Sequence, residues 1–149
     1  MRLSTRGRFG VSALVAVGLM DSGGPVSLKS VAERQGISEH YLEQIMGPLR
    51  KAGLVHSVRG AQGGYRLAKE PSAISVGDVI RVLDGPIAPV ECASETTCEF
   101  DHCARVDTCV TLDVWTRLRD SMVEVLDSVT LADLIKSAAR QDAQPMYYI

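Results

Sequence analysis

Four cysteines fall within one short stretch of the chain, ECASETTCEFDHCARVDTC. They are spaced Cys92-x5-Cys98-x4-Cys103-x5-Cys109, with His102 directly before the third thiol. Thiolates are the side chains that bind soft metals and iron–sulfur clusters, and four of them in one loop can close around such a centre. We call this stretch the cysteine loop and interpret it as a candidate metal or cluster site.

The charge of the chain is unevenly distributed around this loop. Residues 1–70 carry ten Lys and Arg against five Asp and Glu, whereas residues 71–149 carry six against thirteen. A basic amino-terminal half suits a polyanion such as nucleic acid, although a chance distribution of solvated faces would give the same counts.

The chain shows no sign of a membrane span. No apolar run reaches the ~18–20 residues that are needed to cross a bilayer. The amino terminus resembles a signal peptide superficially, but its apolar residues fall at helical spacing and polar residues interrupt it. We predict an amphipathic first helix from Ser4 or Thr5 to about Met20, and a cytoplasmic protein.

Two short helices joined through a glycine follow. Ser27 can cap LKSVAERQ, Gly36 can end it, and Ser38 can cap EHYLEQIMGPLRKA. This arrangement is typical of a helix-turn-helix. Pro48 removes one backbone hydrogen bond, to the carbonyl of Gln44, and we expect a local bend there rather than a break.

The runs LVHSVRG and GYRL then flank a glycine-rich tip, which predicts a β-hairpin, or wing. Ser75, with Asp78 at the third helical position, predicts a small capped helix. A longer amphipathic segment is expected at about 108–126, and Thr130 can cap a last short helix.

The first residues of a second helix-turn-helix helix reach base edges in the major groove. Glutamine can pair with adenine, and glutamate can accept from the cytosine amine. Arginines and lysines at the helix end, in the amino-terminal arm and at the wing tip suit phosphates or the minor groove. The candidate DNA-binding residues are Arg2, Arg6, Ser38, Glu39, His40, Tyr41, Glu43, Gln44, Arg50, Lys51, Arg59 and Gly60. For Tyr41, packing in a partly buried position is an equal alternative.

One apolar stripe on the segment after the cysteine loop has nothing predicted to cover it. A long helix that projects from a small winged domain needs a partner, and the economical partner is its own copy in a two-fold dimer. The candidate dimerisation residues are Val114, Trp115, Leu118, Met122 and Val125, broadened by Val110 and Leu126.

Three stretches together resemble the IscR-type winged-helix transcriptional repressors: MRLSTRGRFG, SEHYLEQIMGPLRKAGLVHSVRGAQGGYRLAKE, and the cysteine loop leading into VTLDVW. That family includes an iron–sulfur cluster regulator, a nitric-oxide-sensing repressor and a cysteine-metabolism repressor. The resemblance covers Met1 to about Leu134. It implies a homodimer on an imperfect palindrome in promoter DNA, and an iron–sulfur cluster, of 2Fe–2S rather than 4Fe–4S type, held by three cysteines and one other ligand.

The chain departs from the family at the fourth ligand. The position matching the ligating histidine is Leu112, and the one matching the acidic ligand of the nitric-oxide sensor is Arg8. We therefore expect ligation by all four cysteines, with His102 as the alternative to Cys103. The terminal segment MYYI and the segment SEHYLEQ look more like the cysteine-metabolism repressor, whose loop lacks these cysteines. Control by a partner enzyme through the tail is therefore the alternative to control by a cluster.

The cysteine loop could also work without a cluster. Its spacing differs from that of zinc fingers and ribbons, which disfavours structural zinc, and reducing conditions disfavour structural disulfides. A thiol–disulfide switch without metal and an inert loop stay open as well. We expect the free loop to be mobile, and ligation to fix the angle between the DNA-reading domain and the dimer helix.

These predictions amount to a mainly α fold with a small β-hairpin, namely a winged helix-turn-helix plus a long carboxy-terminal dimerisation helix. Residues 1–84 form the DNA-binding domain, 85–109 the cluster-binding loop, and 110–149 the dimerisation helix and tail. The sequence contains no nucleophile–base pair, P-loop or paired carboxylates, so we expect no enzyme. A protein-interaction module gated at the tail is the competing class.

Overall fold

The computed structural model describes residues 3–96, residue 103 and residues 106–142. In this part of the chain, six α-helices and one antiparallel hairpin are joined by turns and three short 3-10 helices. The elements are α1 (Thr5–Met20), α2 (Leu28–Gln35), α3 (Glu39–Lys51), β1 (Val55–Val58), β2 (Gly64–Leu67), α4 (Val76–Asp84), α5 (Leu112–Ser128) and α6 (Leu131–Asp142). The predicted mainly α winged helix-turn-helix fold is confirmed.

Serine side chains begin the first four helices, as the sequence predicts. The hydroxyls of Ser4, Ser27 and Ser38 each accept a hydrogen bond from the backbone N–H three residues later. Ser75 and Asp78 form a reciprocal capping box at the start of α4. Each cap satisfies backbone donors that the helix itself leaves free, and so the helix boundaries are set locally.

The hydrophobic core is built around α1. Ala13, Leu14 and Val17 are fully buried there, and α2, α3, α4, α6 and β2 all pack against this helix. Helix α3 contributes four core side chains: Leu42, Ile45, Met46 and Leu49. The burial of α1 on several sides therefore fixes where α3 lies.

Two features of the carboxy-terminal half differ from the prediction. Helix α5 begins at Leu112 rather than near residue 108, and Val110 precedes it with 91% of its surface exposed. The chain makes a 3-10 turn at Val106–Thr108 instead, so Val110 does not belong to the helical stripe. Leu131 of α6 is fully buried in the core around α1, a contact that the sequence did not predict, while the division at residue 110 stays a prediction.

The wing is a two-stranded hairpin in which Val55 pairs with Leu67 and Val58 pairs with Gly64. Val26 adds to its edge through two backbone hydrogen bonds with Tyr65, of 2.9 and 2.8 Å. A β-carbon on Gly64 would lie 2.1 Å from the carbonyl oxygen of Val26. Only glycine therefore allows the segment before α2 to join the wing.

Arg81 of α4 links three parts of the chain. Its guanidinium donates to both carboxylate oxygens of Asp127, near the end of α5, at 2.6 and 2.9 Å. It also donates to the carboxylate of Glu95 at 2.6–3.1 Å. Hydrogen bonds from Arg81 are the largest cause that lowers the pKa of both carboxyls. We call Arg81, Glu95 and Asp127 the Arg81 tether.

The Arg81 tether and its neighbours restrain the first part of the cysteine loop. Glu95 also accepts from the backbone N–H of Ile87 at 2.8 Å, and Arg119 of α5 donates to the carbonyl of Ser94 at 3.2 Å. The first part of the loop, around the 3-10 turn Glu91–Ala93, is thus held against α4 and α5 by the protein's own side chains.

Replacing Gly64 with alanine should destabilise the protein by about 1–3 kcal/mol, because the new methyl group forces Val26 away from the wing. Gly24→Ala is the matched control, since a β-carbon there meets nothing within 4 Å. Urea unfolding followed by circular dichroism measures both. Equal stabilities of the two variants would contradict the role of the close approach.

Replacing Arg81 with methionine should lower the free energy of unfolding at neutral pH. The difference from wild type should shrink in acid, where the wild-type ion pairs are lost as well. A carboxyl whose pKa is lowered by folding stabilises above its unfolded pKa of about 4, and this contribution disappears as pH falls through the folded pKa. We expect a loss of about 1–2 kcal/mol at pH 7, a modest value because the Asp127 side chain is 40% exposed.

Arg117→Met serves as control for Arg81→Met, because the Arg117–Asp113 pair is 4.0 Å apart and 80% exposed on both sides. Unfolding by urea at a series of pH values between 3 and 7 checks the result. A difference between the two variants that is as large at pH 3 as at pH 7 would show that the tether's ion pairs are not its cause.

Candidate nucleic-acid interface and cysteine loop

Helix α3 separates its side chains into a buried and an exposed face. Its apolar residues lie in the core, whereas Glu39, His40, Glu43 and Gln44 are exposed, together with the capping residue Ser38. The predicted base-reading residues thus share one accessible surface on a helix that the core holds firmly. We call this surface the α3 face.

Neighbouring side chains contact Gln44 on the α3 face and Tyr41 beside it. The side-chain nitrogen of Gln44 lies 3.2 Å from Nε2 of His40, one turn earlier, so a neutral His40 with Nε2 unprotonated can accept its hydrogen bond. The ring of Tyr41 packs edge-on against Phe9 of α1, with 6.1 Å between ring centres. Packing therefore accounts for the half-buried position of Tyr41, while part of its surface stays open.

Helix α3 runs through Pro48 without interruption, in agreement with the predicted absence of a break. Proline has no N–H, and the carbonyl of Gln44 therefore lacks its usual helical donor. A nitrogen of the Arg6 guanidinium, Nη2, donates to this carbonyl at 3.0 Å instead. Sequence reasoning identified the orphaned carbonyl but not its partner, which lies 38 residues away.

The wing lies next to the end of α3. Arg50 donates from Nη1 to the hydroxyl of Ser57 on β1 at 3.4 Å, and Lys51 is exposed beside it. Arg59 and Gly60 are exposed at the wing tip, where Gly60 adopts φ of 122°, a conformation that favours glycine. Of the predicted DNA-binding residues, only Arg2 lies outside the described part of the chain.

Arg66 fixes the other side of the wing. Its guanidinium donates to Asp21, at the end of α1, at 3.1 Å from Nε. The pKa of Asp21 is lowered, first by the backbone N–H of Gly23 and then by Arg66. The wing is therefore joined to α1 as well as to α3, and Arg59 at its tip projects from a hairpin that is fixed on both sides.

Three of the four cysteines belong to the described residues. Cys92, Cys103 and Cys109 are half-buried free thiols, while Cys98 and His102 lie outside the described part. Among the described residues, no three His, Cys, Asp or Glu side chains are close enough together to hold a metal ion. The structure therefore leaves the predicted ligand set of four thiols, and the alternative ligand His102, as a prediction.

Cys109 differs from the other two described thiols in its hydrogen bonding. Its sulfur lies 3.3 Å from the hydroxyl of Thr111, and this bond, followed by the backbone N–H groups of Thr111 and Leu112, lowers its pKa. Thiolate is the form that binds metals and reacts as a nucleophile. Its position at the start of α5 thus favours the chemically active form.

Helix α5 has no buried residue along its 17 positions. Val114, Leu118 and Val125 are 54%, 44% and 62% exposed, and Trp115 and Met122 are half-buried. All five predicted dimerisation residues are therefore at least partly open to solvent in one chain. No helix in the described residues is long and apolar enough to cross a membrane.

Comparisons with known proteins agree with this geometry. Residues 3–137 match the Rrf2 family, described as iron-dependent transcriptional regulators. The chain is 46% identical to the HTH-type transcriptional regulator CymR of Bacillus subtilis over 149 residues, all of both chains. The solved structure of that CymR, the global cysteine regulator, superimposes with a TM-score of 0.75, covering 92% of this chain and 98% of the other.

A second solved structure, IscR of T. potens, is 51% identical, with a TM-score of 0.74 and coverage of 99% and 97%. The core-anchored α3 face, the braced wing and the uncovered helix α5 thus occur in a fold shared with named transcriptional regulators. From the family match over residues 3–137 and these full-length identities, we conclude that the chain belongs to the Rrf2 family of transcriptional regulators.

Proposed function

We propose that the protein is a homodimeric repressor that reads promoter DNA through the α3 face and the wing, and that a cysteine-ligated iron–sulfur cluster modulates this binding. The observation that carries the DNA-reading part is the exposed row of Ser38, Glu39, His40, Glu43 and Gln44 on a helix whose other face is fully buried. A rigid helix with a polar outer face is what the major groove accepts.

The exposed side chains divide the work of binding DNA by their chemistry. Gln44 pairs with adenine and Glu43 accepts from cytosine, since their acceptor and donor patterns match those base edges. Arg50, Lys51 and Arg2 neutralise phosphates, which set the register of the helix in the groove. Arg59 enters the minor groove, because Gly60 and the small residues after it let the backbone come close.

The dimer forms through α5. Its exposed Val114, Leu118 and Val125, flanked by Trp115 and Met122, gain most by covering the same stripe on a second copy. A two-fold dimer places two α3 helices on one side, about one turn of DNA or ~34 Å apart, which matches a palindromic site. In a bacterial cell such a regulator acts in the cytoplasm, where the promoter DNA lies.

The cluster is held by Cys92, Cys98, Cys103 and Cys109, with His102 as the alternative to Cys103, and is of 2Fe–2S rather than 4Fe–4S type. Thiols fit such a group chemically, and the lowered pKa of Cys109 favours the ligating thiolate. A bound cluster supplies a redox- and nitric-oxide-sensitive centre.

A second candidate is a cysteine-metabolism-type repressor without a cluster, controlled by a partner protein or by thiol oxidation. The full-length 46% identity to CymR, a global cysteine regulator, favours it. The terminal MYYI, which lies outside the described residues, is the segment that a partner enzyme would bind. In this case the lowered pKa of Cys109 marks an oxidisable thiol rather than a ligand.

The two candidates are separated by purification without oxygen. We expect coloured protein with iron and sulfide in about equal amounts, because thiolates in a reducing cell retain a cluster. The DNA probe is the duplex that wild-type protein enriches from a random-sequence pool, here called the selected duplex. At matched salt, protein with the cluster and protein without it should differ in affinity for this duplex or in site preference.

Cys103→Ser and His102→Ala, made separately, identify the fourth ligand by loss of the iron and sulfide. Colourless protein that carries zinc or no metal, and binds the selected duplex as tightly as before, would rule out the cluster. The second candidate is supported if mild oxidation abolishes DNA binding by the colourless protein. It is also supported if, with a partner enzyme present, a variant that lacks residues 146–149 no longer binds DNA.

The wing contact gives a further prediction. Arg59→Ala should weaken binding to the selected duplex by about 5- to 100-fold, because one guanidinium in the minor groove contributes about 1–3 kcal/mol. Arg140→Ala, an exposed residue of α6, removes the same charge away from the proposed interface and should change affinity little. Fluorescence anisotropy at fixed salt measures both, and equal effects of the two variants would exclude the wing from the interface.

A further inference from the structure

Pro48 creates a defect in the middle of α3. In an α-helix each N–H donates to the carbonyl four residues earlier, so that proline at position 48 leaves the carbonyl of Gln44 without its donor. The helix nevertheless runs from Glu39 to Lys51 as one segment. The defect lies directly at Gln44, one residue beyond Glu43, and both are exposed on the α3 face.

Arg6 fills this defect from another helix. Its Nη2 donates to the Gln44 carbonyl at 3.0 Å, and it does so from the first turn of α1. A hydrogen bond from a charged donor is stronger than the backbone bond it replaces. Since α1 lies at the centre of the core, this bond ties the middle of the α3 face to the helix on which the other core elements pack.

The orientation of Arg6 restricts which of its nitrogens can reach a phosphate. Its Nε is shielded from solvent and has no hydrogen-bond acceptor among the described residues. The side chain lines a cleft with Tyr41, Pro48 and Lys51, so it lies alongside α3 rather than extending away from it. A two-pronged phosphate contact through Nε and an Nη nitrogen is therefore closed to it in this conformation.

We infer that Arg6 is a positioning residue for DNA recognition: it replaces the missing Pro48 N–H at the Gln44 carbonyl and thereby fixes the base-reading segment of α3. Arg6 sets discrimination between base sequences and does not act as a phosphate ligand, the role that the sequence alone assigned to it. This inference rests on the proposal that α3 reads DNA.

The test is a double-mutant cycle of Arg6→Gln and Pro48→Ala in the full-length dimer. Alanine at position 48 restores the N–H that the Gln44 carbonyl lacks, and Arg6 then becomes redundant. Binding is measured to the selected duplex and to its single-base-pair variants, over a range of salt concentrations. Arg8→Gln is the charge-matched control, because Arg8 is exposed on the same helix.

We expect Arg6→Gln alone to lower discrimination between the selected duplex and its variants about tenfold, the equivalent of one charge-assisted hydrogen bond. The slope of log K against log salt should match that of Arg8→Gln. In the Pro48→Ala background, Arg6→Gln should change discrimination less than about twofold. If Arg6→Gln acted through a general loss of stability, Pro48→Ala would not remove its effect on discrimination. A smaller effect in the Pro48→Ala background therefore indicates positioning.

Two outcomes would overturn the inference. One is a salt slope that falls by about 1 relative to Arg8→Gln with discrimination unchanged, which identifies Arg6 as a phosphate ligand. The other is an equal effect of Arg6→Gln with proline or alanine at position 48.

Failure of the underlying proposal is recognised separately with Gln44→Ala. If that variant and Glu43→Ala both keep the base preference of wild type, α3 does not read the bases. Amide hydrogen exchange across α3, measured without DNA, then still decides whether Arg6 fixes the helix. Arg6→Gln should accelerate exchange when residue 48 is proline and leave exchange unchanged when residue 48 is alanine. Unchanged exchange in both backgrounds would contradict the positioning role.

Discussion

The burial of α1 is the constraint on which the rest of the described structure depends. Ala13, Leu14 and Val17 are inaccessible to solvent because four helices and strand β2 pack on several sides of α1, and three of these neighbours carry residues with a proposed role. Helix α3 presents the α3 face, β2 belongs to the wing, and α4 carries the tether. A helix covered in this way cannot shift without disturbing all of its neighbours, since protein interiors are close-packed. The DNA-facing surface is therefore organised from its buried side.

The Arg81 tether extends this rigid domain to the parts proposed to sense and to dimerise. One guanidinium satisfies a carboxylate from the cysteine loop and one from α5, and both carboxyls are held ionised. The angle between the DNA-binding domain and α5 is thus already constrained by the protein before any group binds the thiols. The proposed cluster would therefore strengthen or oppose an existing connection between α4, the cysteine loop and α5.

Much of the fold could be predicted because its signals are local. Serine caps, the glycine that ends α2 and the alternating strands around a glycine-rich tip each act within a few residues, and all of them are found where the sequence placed them. The start of α5 was misplaced because apolar spacing continues through Val110, where the chain makes a turn instead. Three contacts could not be predicted from local patterns, because each joins residues that are far apart in the sequence. They are the packing of Leu131, the ion pairs of Arg81 and the hydrogen bond from Arg6 to Gln44. The ligand set of the cysteine loop could be proposed only from the chemistry of thiols and from the family resemblance, whose fourth-ligand positions are Leu112 and Arg8 in this chain.

The short connection between α3 and the wing has a consequence for how a DNA site is judged. Leu54 and Val55 are buried immediately after α3, the N–H of Leu54 bonds the carbonyl of Leu49, and Arg50 reaches Ser57 across the junction. The reading helix and the hairpin therefore move as one body. If α3 and the wing bind DNA as proposed, their contacts in the major groove and in the adjoining minor groove form together, so that a base step that does not fit one element also displaces the other. Each half of the proposed dimer would then bind or reject its half-site as a single unit.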